Sequence, residues 1–168
     1  MDSINAPQII EHQSQSLDFT PYDTKWIPGT AKYVLGGQTM KATGIMKIFR
    51  LNQEKSEMEL TVNEGKGVKS FTFGASPFGG QQLAIGDFDG ELRIHDLEKN
   101  KVSWRVKAHK EIVNSVDGIG GLDVGHGAPE LLTGSRDGSV KLWDPRQNTP
   151  VIVTLISGFG SRTDSCRR

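Results

Sequence analysis

Two stretches of this chain follow one plan. LAIGDFDGELRIHDL, residues 83 to 97, aligns without a gap on LLTGSRDGSVKLWDP, residues 131 to 145. Gly86 falls on Gly134, Asp89 on Asp137, Gly90 on Gly138, Leu92 on Val140, Ile94 on Leu142 and Asp96 on Asp144, always 48 residues apart. A fainter echo in VLGGQTMKATGIMKIFRL, residues 34 to 51, sets Gly44 against Gly90, Met46 against Leu92 and Ile48 against Ile94 at an offset of 46. A period of this length marks a supersecondary unit that buries its faces by stacking on copies of itself.

Each copy reads as an apolar strand, a tight turn ending in glycine, and a second, alternating strand. Asp-Gly suits the turn, because glycine adopts positive φ freely and aspartate tolerates it. In the last copy Val140 and Leu142 share one face while Lys141 and Trp143 share the other. Apolar bulk on both faces predicts that both are covered, as in stacked sheets. YDTKWIP (22–28), VKSFTFGAS (68–76) and IVNSVDGIGGL (112–122) supply a strand before each hairpin. EMELTV (57–62), VSWRVKAH (102–109) and VIVTLIS (151–157) supply a more polar one after it. Helical periodicity is almost absent, and 20 glycines among 168 residues fit short strands and turns better than a helical bundle.

The expected architecture is therefore all-β: a partial β-propeller of about three four-stranded antiparallel blades. The expected divisions are an N-terminal segment (1–18), blade 1 (19–62), blade 2 (63–109), blade 3 (110–155) and a divergent polar tail (156–168).

Several chemistries are disfavoured. Lysine plus arginine equal aspartate plus glutamate, 20 of each, which speaks against nucleic acid or a polybasic membrane anchor as the main partner. The single cysteine, Cys166, suits a reducing compartment, and no apolar run approaches the ~20 residues of a membrane helix. A cytoplasmic protein is expected. GIGGLDVGHG (118–127) does not open a helix as a dinucleotide fingerprint must, and NEGKGVKS (63–70) lacks P-loop spacing, leaving Lys66 a solvated turn residue. His12, His95, His109 and His126 lie too far apart to suggest a metal site, so neither metal nor cofactor is expected. Trp26 and Trp104 read as packing anchors.

Ser-x-Asp-Gly followed by Val-Lys-Leu-Trp-Asp resembles the WD repeat, with Trp143 and Asp144 as its signature pair and Ala108-His109 where the repeat usually has Gly-His. DTKWIP, TGIMKIF, TFGAS, LAIGDFDG, AHKEIVNSVDGIGGL and GAPELLTGSRDGSVKLWDPRQ together resemble the WD-repeat dynein axonemal assembly factors, over roughly residues 6 to 151. Members of that family are about twice this long and close into a seven-bladed ring. The resemblance implies work in the cytoplasm with a chaperone complex of prefoldin-like and RuvB-like subunits, and with dynein subunits. In such a ring PQIIEHQ (7–13) would be the outer strand that closes the last blade. The tail ISGFGSRTDSCRR (156–168) departs from the pattern and reads as a truncated or alternatively spliced product, or a gene-model error.

The same resemblance makes His109, Thr133 or Ser135, Asp137 and Trp143 a structural tetrad, in which histidine bridges the turn aspartate and a hydroxyl, and the indole N–H ends the chain. The leading reading is a non-catalytic interaction scaffold. Partner contacts are expected in the loop from Asp123 through His126 to Glu130 and at Lys110 and Arg136, on the strength of rim position. The competing enzyme is a serine hydrolase using Ser135 and His109. It needs a strained nucleophile elbow, and the chain has no G-x-S-x-G. A ubiquitin-ligase substrate receptor is the third class, and would need an adaptor-binding segment for which three blades leave no room. Uncovered end faces also predict a chain that is marginal, aggregation-prone or dependent on a partner.

Overall fold

The computed structural model describes residues 11, 13–53, 55–74, 76, 81–119 and 130–146, and the backbone of 150–155. It is all-β, with no helix among the described residues and none long and apolar enough to cross a membrane. Sheet 1 is β1 (Thr20–Trp26), β2 (Lys32–Gln38), β3 (Gly44–Leu51) and β4 (Ser56–Glu64). Sheet 2 is β5 (Val68–Thr72), β6 (Gln82–Asp87), β7 (Glu91–Asp96) and β8 (Lys101–Lys107). Sheet 3 is β9 (Val113–Ile119), β10 (Glu130–Ser135), β11 (Ser139–Trp143) and β12 (Pro150–Leu155). Every pairing is antiparallel between chain neighbours, so each sheet is a meander, and the three form an arc of a β-propeller.

Stacking buries two separate cores. Val34, Met46 and Ile48 of sheet 1 meet Val68, Phe71, Leu83 and Ile85 of sheet 2. Ala84, Leu92 and Ile94, on the opposite face of sheet 2, meet Val113, Val116, Leu131 and Trp143 of sheet 3. A repeated glycine admits each neighbour. A Cβ at Gly36 would overlap Phe71, and one at Gly86 would overlap Val113 and Val116. At Gly134, the third of the series, a Cβ would meet nothing.

The first strand of each sheet lines the inner edge of the arc and carries an irregularity at the same place, beside Tyr22, Lys69 and Asn114. A hydrogen-bond relay crosses all three sheets there. The Val116 N–H donates to Ser70 Oγ (3.2 Å), and the Ser70 hydroxyl donates to Asp23 Oδ2 (3.3 Å). The same carboxylate oxygen accepts the Phe71 N–H at 2.9 Å. The edge is an open polar trough of about 430 Å³.

Two expectations are corrected. The outer face of sheet 3 is only partly covered: Val140 and Leu142 are half-buried, Leu132 is 47% exposed and Ile119 62%. Trp104 packs edge-on to Trp143 at 6.3 Å, but Trp26 is 59% exposed and rests against Tyr33 on the outer face of sheet 1. Residues 13–19 run along that face: Gln13 Oε1 accepts from the Ser56 hydroxyl at 2.9 Å, and Asp18 pairs with Lys47 at 2.5 Å. In PQIIEHQ, residues 7–10 and 12 lie outside the described residues, while Glu11 and Gln13 belong to no strand.

Candidate functional site

His109 follows β8 and is 2% exposed, tucked beneath the β10–β11 turn. Its Nε2 lies 2.8 Å from Thr133 Oγ1, and that oxygen accepts the Trp143 indole N–H at 2.9 Å. Its Nδ1 lies 3.1 Å from Asp137 Oδ2 and 3.0 Å from Ser139 Oγ. An ionised carboxylate only accepts, so Nδ1 carries the proton. Nε2 then accepts from the threonine, whose oxygen is left to take the indole N–H. The chain runs in one direction, and each buried polar group has a partner.

Turn geometry places Asp137. Gly138 follows at a φ of 76°, a left-handed conformation natural to glycine. Asp137 Oδ1 accepts the Ser139 N–H (3.0 Å) and hydroxyl (2.5 Å), and Oδ2 also accepts the Lys110 N–H (3.1 Å). Burial works to raise this carboxyl, but the bonds from Ser139, Lys110 and His109 outweigh it and hold it well below the usual carboxylate range. Burial pushes His109 below its ordinary value, and Asp137 opposes that only in part.

Of the two hydroxyls proposed from sequence, Thr133 is the one against His109. Ser135 Oγ accepts the Asp137 N–H at 3.1 Å and donates to the Glu111 carbonyl at 3.4 Å. Both imidazole nitrogens are engaged elsewhere, so His109 and Ser135 do not form a base–nucleophile pair. The rim candidates separate as well. Lys110 and Arg136 stand together beside the β10–β11 turn, where the Arg136 N–H donates to the Ile112 carbonyl and its guanidinium pairs with Glu111 at 3.5 Å. Glu130 begins β10 and so lies at the opposite end of that strand. Asp123 and His126 lie outside the described residues. No group of three His, Cys, Asp or Glu side chains among the described residues could hold a metal ion.

Sequence reasoning missed what sheet 2 has at the same place. Glu64 precedes Val68 by four residues, as His109 precedes Val113. Arg93, His95 and Asp87 occupy the positions of Lys141, Trp143 and Ser135. Here the link between turn and strand is ionic. Arg93, with its side chain 3% exposed, lies 2.8 Å from Asp87, 3.1 Å from Glu64 and 3.5 Å from Glu91. His95 Nδ1 lies 3.6 Å from Glu64. Burial works to raise Glu64, but His95 and Arg93 outweigh it and leave its carboxyl below the ordinary value. Asp87 Oδ1 accepts the N–H of Asp89 and of Glu91, both at 2.9 Å, and so braces the turn. The 48-residue alignment sets Asp87, Arg93 and His95 against Ser135, Lys141 and Trp143, but Glu64 stands 45 residues before His109 and falls outside that register.

Comparison with known proteins agrees with this architecture. Residues 100–144, which contain the His109 relay, match the WD domain, G-beta repeat. The chain is 41% identical over 167 residues to dynein axonemal assembly factor 10 of Bos taurus, covering 99% of this chain and 47% of the relative. Identity to the factor of the same name is 40% in Homo sapiens and 44% in Chlamydomonas reinhardtii, with the same two coverages. The chain spans about half the length of the curated relatives it matches. It is a WD-repeat polypeptide, an arc of a propeller homologous over nearly its whole length to dynein axonemal assembly factor 10.

Proposed function

We propose that the chain is a non-catalytic binding scaffold for the cytoplasmic assembly of axonemal dynein complexes. Its partners in this reading are dynein subunits and a chaperone complex of prefoldin-like and RuvB-like subunits. The observation that carries it is the 41% identity to dynein axonemal assembly factor 10 across 99% of the chain. The site chemistry supports the same reading. His109 is buried and committed through both nitrogens to Asp137, Ser139 and Thr133, an arrangement that fixes a turn against two strands. A hydrolase would need that imidazole within reach of a reactive hydroxyl and of solvent.

The test is affinity purification of the tagged full chain from ciliated cells, with quantitative mass spectrometry against an unrelated WD-repeat bait. Enrichment of axonemal dynein heavy chains together with RuvB-like subunits is expected. Equal recovery on both baits would overturn the assignment, as would labelling of Ser135 by an activated-serine probe.

A further inference from the structure

We propose that the end of the arc bearing the β2–β3, β6–β7 and β10–β11 turns is a docking surface for an acidic polypeptide segment with an apolar or aromatic anchor. This rests on the scaffold reading and names the chemistry of what the scaffold holds.

Acids and bases are sorted by depth at this end. The side chains of Asp87, Glu64 and Asp137 are only 4%, 10% and 12% exposed, and they are spent on Arg93, His95 and His109. The cations stand outside: Lys66 is 58% exposed, Arg136 70%, and Lys107 and Lys110 are exposed as well. Asp89, Glu111 and the partly exposed Glu91 are the outward acids, already engaged by Lys66 at 3.3 Å, Arg136 at 3.5 Å and Arg105 at 3.2 Å, which leaves Lys107 and Lys110 without a carboxylate among the described residues. Lys107 donates to the backbone carbonyl of Asp89, so Lys66 and Lys107 flank one residue. The whole chain has zero formal net charge, so this excess of cations is local.

Beside the lysines is an aromatic pair. Tyr22 is 40% exposed, its ring 5.2 Å from that of Phe88, and the Lys69 ammonium lies 4.7 Å from the Tyr22 ring centre. Tyr22 and Lys69 both stand at strand irregularities, a device that re-aims side chains at the edge of a sheet. A partly exposed aromatic centre within a charged rim is the anatomy of a protein-binding hot spot. Asp89 and Glu111 among the lysines oppose a continuous phosphate backbone. A peptide with spaced carboxylates can pass between them, which favours protein over nucleic acid.

The experiment is fluorescence anisotropy on the full chain. The probe is a fluorescein-labelled peptide of Glu and Asp around one Leu-Phe pair. The comparison probes are the same peptide with lysine in place of its acids, and a single-stranded oligouridylate. Saturable binding of the acidic peptide is expected, weakening between ~50 and ~300 mM salt. Replacing Lys66, Lys69 and Lys107 together by glutamine should lower affinity about tenfold and flatten the salt dependence. Tyr22→Ala should weaken binding several-fold and leave the salt dependence intact, while Lys32→Gln, at the other end of the arc, should change nothing. Near-UV circular dichroism establishes that each variant is folded. The proposal is overturned by absent or salt-insensitive binding, by full affinity in the folded triple variant, or by oligouridylate binding as tightly as the acidic peptide. Dynein capture without peptide binding would leave the scaffold reading standing and remove this surface; peptide binding without dynein capture would do the reverse.

Discussion

The hydroxyl of Thr133 is the middle link of the relay: it accepts from Trp143 and donates to His109. Thr133→Val preserves shape and strips out that link, leaving an indole N–H and an imidazole nitrogen buried without partners. Chemical denaturation should show a loss of ~1–3 kcal/mol, the cost of stranding buried polar groups. Wild-type stability there would mean that water enters and replaces the hydroxyl. The same site makes the fold acid-sensitive. His109 is held below its ordinary value of 6.5, so between the folded and ordinary values the unfolded chain binds the extra proton. Stability therefore falls as pH drops through 6.5. Asp137 is depressed from 3.8, so what it contributes is intact above that value and lost only in stronger acid. Urea midpoints should decline between about pH 7.5 and about pH 5.5. His109→Gln should lower both midpoints but narrow the gap between them, and an unchanged gap would assign the decline to other groups.

At the scale of strands and sheets, the three equivalent glycines offer a controlled comparison. Gly86 faces Val113 and Val116, whereas Gly134 has open space where a Cβ would stand. Gly86→Ala should cost ~1–3 kcal/mol, because a packed interface cannot give way for the methyl group. Gly134→Ala should be neutral or stabilising by ~0.5–1 kcal/mol, through reduced freedom of the unfolded chain. Equal effects in urea unfolding would show that sheet 3 does not pack on sheet 2 in this way. Most of this architecture was legible in the 48-residue echo, because Gly86, which packing against sheet 3 requires, and the Asp-Gly turns ending at Gly90 and Gly138, both at positive φ, leave little choice of residue. Sheet 1 was fainter because a longer hairpin, with Ala42 at a φ of 61°, replaces the Asp-Gly turn. Side-chain chemistry echoes poorly. Glu64 for His109 and His95 for Trp143 preserve the link between turn and strand with unrelated groups. The Asp23–Ser70–Val116 relay joins residues that share no type, so periodicity could not reveal it. Ser139 was overlooked because the sequence argument sought its hydroxyl before the turn, and the chain supplies a second one after it.

For the molecule as a whole, the decisive property is that the two outer faces of the described arc, on sheets 1 and 3, both carry exposed apolar side chains. At one, Leu132 and Ile119 are 47% and 62% exposed beside half-buried Val140 and Leu142. These residues correspond to the face of sheet 2 on which sheet 3 sits, so the surface is shaped to receive a sheet. At the other, Trp26 and Met58 are 59% and 58% exposed, although Leu17 and Gln13 lie along part of that face. Exposed apolar surface of this kind drives association, and the two ends are complementary in kind, since every internal interface of the arc joins one such face to the other. Head-to-tail contact between copies follows, a heterologous mode that continues unless its rotation closes. Sedimentation velocity of the full chain should therefore show the average coefficient rising with concentration. Leu132→Lys combined with Ile119→Lys should abolish the rise by placing two ammonium groups where a neighbouring sheet would sit, while sheet 2 and its two cores keep their near-UV signature. Lysine at Met58 should act in the same direction from the opposite end, and mixing the two variants should restore a one-to-one pair but no longer assembly, since each supplies the face the other lacks. A wild-type coefficient that stays monomeric over the same range would show that the outer face of sheet 3 is not available to a second copy.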